Sequence, residues 1–328
     1  MELICPAGTP AAFRDAVDVG ADAVYCGFRD ETNARNFPGL NFSRDELAEA
    51  VSYARTHNVK TLVAINTFMA AGREALWQSA VDTAAALGVD AVILADLGLL
   101  AYAAERHPGL RRHLSVQAGA ANVEHIEFLV EAFGIKRAVL PRVLTMSEVA
   151  ALTRQVRCET EVFVYGGLCV MEEGRCSLSS YATGKSPNMQ GVCSPASHVR
   201  YRQDGKEMVS ELGDFTINRF PEGEAAGYPT ICKGRFVVAG EDGYIFEDPV
   251  SLDALSHLGA LKAAGVAALK IEGRQRGRSY VAQVVTEIRR QLDAVEKAEP
   301  AASPLNDTLR LMSEGQRTTK GSYDKKWR

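Results

Sequence analysis

Eight short apolar runs alternate with amphipathic helical patterns, which predicts an α/β chain folded as a closed (β/α)8 TIM-like barrel. Most runs are continuously apolar rather than alternating, as in parallel strands buried on both faces. No Gly-x-Gly-x-x-Gly follows the first run, which counts against a doubly wound dinucleotide fold. A third observation is a break in the rhythm. About 85 residues, 166–250, separate the seventh run from the helix expected at 252–264, and they carry four of the seven cysteines. They are expected to form a cysteine-bearing β-rich insertion between strand 7 and helix 7.

The expected strands are 2–5, 23–26, 61–66, 91–95, 113–117, 137–141, 160–165 and 267–272. Between them, Ser43 with Glu46 and Thr145 with Glu148 have the spacing of capping boxes, and Asn122 is placed to cap a helix that buries Ile126 and Leu129. Leu76, Ala80, Ala84 and Leu87 form one apolar stripe, and Val281, Val284, Val285, Ile288 and Leu292 another. In the insertion, Asp204-Gly205 and Asp242-Gly243 read as hairpin turns. The predicted organisation is a barrel from 1–165 and 251–296, the insertion 166–250 over the barrel mouth, and a docked tail at 297–328.

The chain has 328 residues, 46% hydrophobic and 24% charged, enough to fill a large core. A formal net charge of −4 disfavours bulk electrostatic gripping of nucleic acid. Nothing approaches a bilayer-spanning apolar run, and the N-terminus has no cationic and apolar leader pattern, so a cytoplasmic location with reduced thiols is expected.

Cys169, Cys176, Cys193 and Cys232 are separated by 6, 16 and 38 residues. Zinc knuckles grip one ion with close pairs of ligands, and no such pair occurs here. An iron–sulfur cube takes one thiolate per iron from separate turns, so a [4Fe-4S] cluster suits this spacing better, with structural zinc or unliganded and disulfide-bonded cysteines as alternatives. Gly166, Gly167, Gly174 and Gly191 lie close to three of these cysteines, where they would let backbone N–H groups approach a cluster.

The run Glu161-x-Phe163-x-x-Gly166-x-Leu168-Cys169, followed by Gly174-x-Cys176-x-Leu178-Ser179, resembles the signature of the peptidase U32 family. Gly167 stands where that family usually has Ser or Ala. Within the family the chain is similar, from its first residues through 30–42 to the C-terminal 313–327, to the iron–sulfur subunit that pairs with a second, UbiV-like U32 chain for O2-independent hydroxylation. The resemblance implies a heterodimer acting on the aromatic ring of ubiquinone precursors in anaerobic ubiquinone biosynthesis, with prephenate as oxygen donor. An RNA-base hydroxylase and a non-catalytic iron–sulfur partner subunit are the alternatives.

Strand ends directed at the mouth supply Asn66, Asp96, Gln117, Arg142, Lys270 and Glu272, and nearby loops add Asn33, Arg35 and Arg274. Of these, Arg35, Asn66, Gln117, Arg142, Lys270 and Glu272 are the expected substrate-binding set. Cations beside Asn and Gln at a barrel mouth suit a small anionic ligand, and Arg142 is expected to touch it. Cys5 and Cys26 end strands at the same mouth and are expected to be packing residues, with Cys158 inert. Gly184-Lys185-Ser186 lacks the earlier glycine of a phosphate loop, and His125-Ile-Glu127 does not complete a zinc-protease motif. No Gly-x-Ser-x-Gly elbow occurs, so no protease machinery is legible and no general acid or base is assigned.

Overall fold

The computed structural model describes residues 1–224, 226–297 and 307–324. Strands β1 (Glu2–Pro6), β2 (Ala23–Gly27), β3 (Lys60–Ile65), β4 (Ala91–Leu94), β5 (Arg111–Leu114), β6 (Arg137–Val139) and β7 (Glu159–Gly167) pair in sequence order, all parallel. The insertion then contributes β8 (Val199–Asp204), β9 (Glu207–Leu212), β10 (Phe215–Phe220), β11 (Arg235–Val238) and β12 (Glu241–Tyr244). Next come β13 (Ser251–Asp253) and β14 (Ala268–Ile271); the latter pairs in parallel with both β7 and β1 and closes an eight-stranded barrel. Helices α1 (Pro10–Asp18), α2 (Arg44–Thr56), α3 (Glu74–Leu87), α4 (Leu97–Arg106), α5 (Val123–Phe133) and α6 (Met146–Gln155) follow the first six strands; α7 (Leu178–Thr183) lies in the insertion, and α8 (Leu258–Ala264) and α9 (Arg278–Glu296) complete the barrel.

Both expected capping boxes form, and the Asn122 side chain accepts from the His125 N–H. The α9 stripe is buried as expected. In α3 the buried face is Trp77, Ala80, Val81 and Ala84, with Leu76 and Leu87 at its margins. Trp77 takes the centre because its Nε1 also reaches Thr67 Oγ1 at 3.0 Å, which satisfies the one polar group of a large apolar side chain.

Three features of the expected layout differ. The fifth strand spans Arg111–Leu114 rather than 113–117, because the Ser115 hydroxyl accepts from the Gln117 N–H and turns the chain into a short 3-10 segment, Val116–Ala118. β7 continues past 165 to Gly167, since Ser251 and Leu252 add an antiparallel strand to its end where a helix was expected to begin. Asp204-Gly205 does lie in the turn between β8 and β9. Asp242-Gly243 lies inside β12 instead; the turn is at Ala239 and Gly240, both with positive φ, the two-residue geometry that fits strand twist.

Residues 307–324 of the tail pack against the barrel and the insertion. β15 (Thr318–Thr319) pairs with β13, Tyr323 Oη donates to the Phe163 carbonyl at 2.8 Å, and the Ser322 hydroxyl donates to the carbonyls of Arg142 and Leu144. Residues 298–306 and 325–328 of the expected tail lie outside the described residues. Among the described residues no helix is long and apolar enough to cross a membrane.

Most of the apolar core lies between strands and helices, and it includes Cys5 and Cys26, both fully buried. Those two thiols therefore face the helix layer rather than the barrel interior, and burial pushes the Cys26 thiol up to about 12. A smaller apolar cluster with Ile4, Tyr25, Leu62 and Ile93 fills the inside of the barrel. The register places His113 beside Ile93, Arg137 beside His113, and Lys270 beside Phe163, so a charged layer shares that interior.

His113 accepts from Arg111 Nε at 2.9 Å, and burial together with the Arg137 and Arg111 charges lowers its pKa well below the ordinary value. The folded chain thus keeps His113 neutral while the unfolded chain protonates it below about pH 6.5, so stability at this site is present above that pH and falls as pH drops. Denaturant midpoints at pH 7.5 and pH 5.5 are expected to show a smaller acid loss for His113→Gln, by up to about 1.4 kcal/mol per pH unit. Equal losses in variant and parent would refute this assignment.

Candidate functional site

The insertion leaves the C-terminal end of β7 and folds back over the mouth. Two of its glycines make that return possible. Gly174 (φ +81°) packs so tightly on the loop after β5 that a Cβ would fall 1.9 Å from the Gln117 carbonyl oxygen, and a Cβ on Gly191 (φ +75°) would fall 2.2 Å from the Asn33 carbonyl oxygen. Their observed role is to seat the cysteine loops on the barrel loops. The Phe68 N–H donates to the Asn188 carbonyl at 3.0 Å and anchors the same loops to the barrel.

Cys169, Cys176, Cys193 and Cys232 all line one cavity of about 110 Å³ at the barrel mouth. All are free thiols. Among the described residues no three His, Cys, Asp or Glu side chains converge closely enough to hold a single metal ion. A cube is wider than an ion and does not require such convergence. Burial pushes the Cys169 thiol up to about 12 and also raises Cys193 and Cys232, while the Arg142, Arg35 and Lys233 charges respectively pull the other way. Four half-buried thiols on one cavity with three cations beside them are a donor set that suits an anionic iron–sulfur cluster. Lys233 follows Cys232 directly, and its Nζ is held by Glu314 of the tail and by the Val250 carbonyl at 3.2 Å.

Arg35, Asn66, Gln117, Arg142, Lys270 and Glu272 line this same cavity. Their surroundings divide them. Asn66 is committed to scaffolding: it accepts from the Ala34 N–H and donates to Ser115 Oγ, both at 3.0 Å. Arg35 lies 3.5 Å from Glu272, whose other oxygen accepts from the Gly167 N–H at 3.1 Å. Burial raises the Glu272 pKa, but the Arg35, Arg142 and Arg276 charges outweigh it and hold the carboxyl below its usual range. Lys270 Nζ lies 2.6 Å from fully buried Glu161 and 4.0 Å from the Tyr25 ring centroid. Gln117 keeps a buried side-chain oxygen with no partner among the described residues.

Arg142 lines the cavity with its charge already engaged by the protein. Its Nη1 lies 2.9 Å from Glu173, and its guanidinium covers Phe163 at 3.7 Å. Glu173 belongs to the loop between Cys169 and Cys176, so the pair ties the end of β6 to the cysteine loop. Burial pushes the Glu173 carboxyl up against the opposing pull of Arg142. Asp96 departs from expectation. It caps α4 through the Leu99 N–H at 3.0 Å, and it does not line the cavity.

Glu161, Glu173, Tyr25 and Phe163 were not singled out as site residues from sequence. The available signals were Glu161, set among the apolar residues of β7, and the Glu172-Glu173 pair between two of the cysteines. Neither signal names a partner. Asn33 accepts from the Arg35 N–H at 2.9 Å and from Arg274 Nη1 at 3.3 Å, holding the loop after β2 to the loop after β14.

The sequence matches the family model for peptidase family U32 over residues 8–327. It is 32% identical to tRNA hydroxylation protein P of Escherichia coli (strain K12), covering 94% of this chain and 71% of that one. Identity is 31% to the 23S rRNA 5-hydroxycytidine C2501 synthase of the same organism, over 90% of this chain but 40% of the synthase. A collagenase of Porphyromonas gingivalis is 28% identical over 85% of this chain and 62% of its own length.

Proposed function

The chain belongs to the peptidase U32 family, and from that premise we propose that it is the iron–sulfur subunit of an O2-independent hydroxylase acting on the aromatic ring of ubiquinone precursors. The observation that carries this reading is the convergence of Cys169, Cys176, Cys193 and Cys232 on a cavity that also holds aromatic side chains and buried cations. In this reading those four thiolates hold a [4Fe-4S] cluster, which when bound supplies one-electron chemistry. Ala64, Ile93, Val139 and Phe163 offer an apolar wall for a ring. The cations suit an anionic oxygen donor, with prephenate as the candidate. The similarity of 30–42 and 313–327 to UbiU supports the ubiquinone-precursor substrate and a heterodimer with a UbiV-like chain.

A second reading, RNA-base hydroxylation, is favoured by the names of the E. coli relatives. The net charge of −4 weighs against it. Proteolysis has less support, since no histidine among the described residues lines the cavity to activate a thiol.

A strain lacking this chain is expected to lose ring-hydroxylated quinone intermediates under anoxia and to retain its hydroxylated RNA nucleosides, both read by mass spectrometry. Coexpression with a UbiV-like chain should give a stable complex by gel filtration and light scattering. Loss of an RNA hydroxylation with normal quinone would favour the second reading. Full quinone synthesis by a complex in which this chain's cavity is blocked would make it a non-catalytic partner.

A further inference from the structure

Four cations line the cavity, and three of them have a carboxylate of their own: Arg35 with Glu272, Arg142 with Glu173 and Lys270 with Glu161. Arg274 is 5% exposed, and among the described residues no carboxylate lies within ion-pair distance of it. Its direct contacts are the Asn33 side-chain oxygen at 3.3 Å and the face of Tyr25 at 5.4 Å, both neutral, and the Glu272 charge that reaches it from beyond ion-pair distance is shared with Arg35, Arg142 and Arg276. A buried guanidinium without a counter-charge is costly, so something must offset it. The side chain is not free to swing into solvent. The loop bearing it is pinned on Gly8, where a Cβ would fall 1.8 Å from the Arg274 carbonyl oxygen.

Three of the four cavity cysteines lie beside other cations. The thiols of Cys169, Cys193 and Cys232 have Arg142, Arg35 and Lys233 respectively as their nearby cations, whereas the thiol beside Arg274 is Cys26. Burial lowers the Arg274 pKa to about 10, the direction expected of a cation awaiting an anion. We infer that Arg274 is the carboxylate anchor of the cavity: its planar fork receives the carboxylate of a small organic acid, while the three paired cations hold the protein's own loops. The assignment rests on reading this cavity as the reacting site.

The test uses the full chain purified without oxygen, with iron measured on every sample and benzoate, benzamide and phenyl phosphate as probes. Benzoate is expected to bind at least about tenfold more tightly than benzamide, the size of one charge-assisted contact. R274M should lose that preference, keep its iron, and melt at a higher temperature than the parent in the absence of probe, because an uncompensated buried charge has been removed. R274K should retain part of the preference. A lower melting temperature or lost iron in R274M would make the residue structural and overturn the proposal, as would equal binding of benzoate and benzamide. Tighter binding of phenyl phosphate would overturn the carboxylate assignment. None of these readouts involves quinone synthesis, so the anchor and the hydroxylase reading can fail separately.

Discussion

Cys169→Ala, Cys176→Ala, Cys193→Ala and Cys232→Ala are each expected to lose nearly all bound iron and the associated visible absorption, whereas Cys5→Ala, Cys26→Ala and Cys158→Ala keep both. The first four thiols meet at one cavity. Cys5 and Cys26 are sealed in the strand–helix layer, and Cys158 directly precedes β7, at the end of that strand away from the cavity. Loss of the cluster should reach beyond colour. Between Cys169 and His198 the regular structure amounts to α7, six residues long, and one 3-10 turn, so few backbone hydrogen bonds hold that stretch without a cross-link. Chelating the iron is therefore expected to open 169–198 to limited proteolysis while the barrel resists. Anaerobic iron and sulfide analysis of the seven variants decides the matter. Normal iron in the Cys232 variant would exclude a four-cysteine site.

Arg142→Ala is expected to lose iron and anaerobic ring hydroxylation together. Sequence reasoning assigned Arg142 to the ligand and implied that its loss would spare the cluster. The pairing with Glu173 reverses that expectation, because both side chains are buried and removing one leaves the other's charge without a partner. Breaking such a pair costs about 3–5 kcal/mol. The loss falls on the contact between the cysteine loop and β6 rather than on the barrel, so far-UV dichroism and the main unfolding transition should change little. Glu173→Gln keeps an acceptor for Arg142 and should be milder. Full iron content in Arg142→Ala with quinone synthesis abolished would restore the ligand-binding role and refute the tether.

The barrel was legible because parallel strands buried on both faces must be continuously apolar, and a run such as Ala91–Leu94 admits few other readings. Capping boxes were legible for a similar reason: Ser43 and Glu46 bond within one helical turn, so both partners are near in sequence. The turn at Ala239 and Gly240 was not, since Asp242-Gly243 carries the stronger local signal and only the pairing of β11 with β12 sets the register. Helix α3 hid its inner face for a related reason, as a tryptophan displaced the small-residue stripe once Thr67 was near enough to bond it.

Sequence by itself determined the strand count, the position and cysteine content of the insertion, and the presence of several cations at the mouth. These properties are carried by local periodicity and by residue type. Tertiary structure alone decided which cation meets which carboxylate: Lys270 finds Glu161 across 109 residues, Arg35 finds Glu272 across 237, and Arg274 finds none among the described residues. Charge pairing depends on distances of a few ångströms between residues far apart in the chain, and no pattern along a single strand or helix encodes those distances.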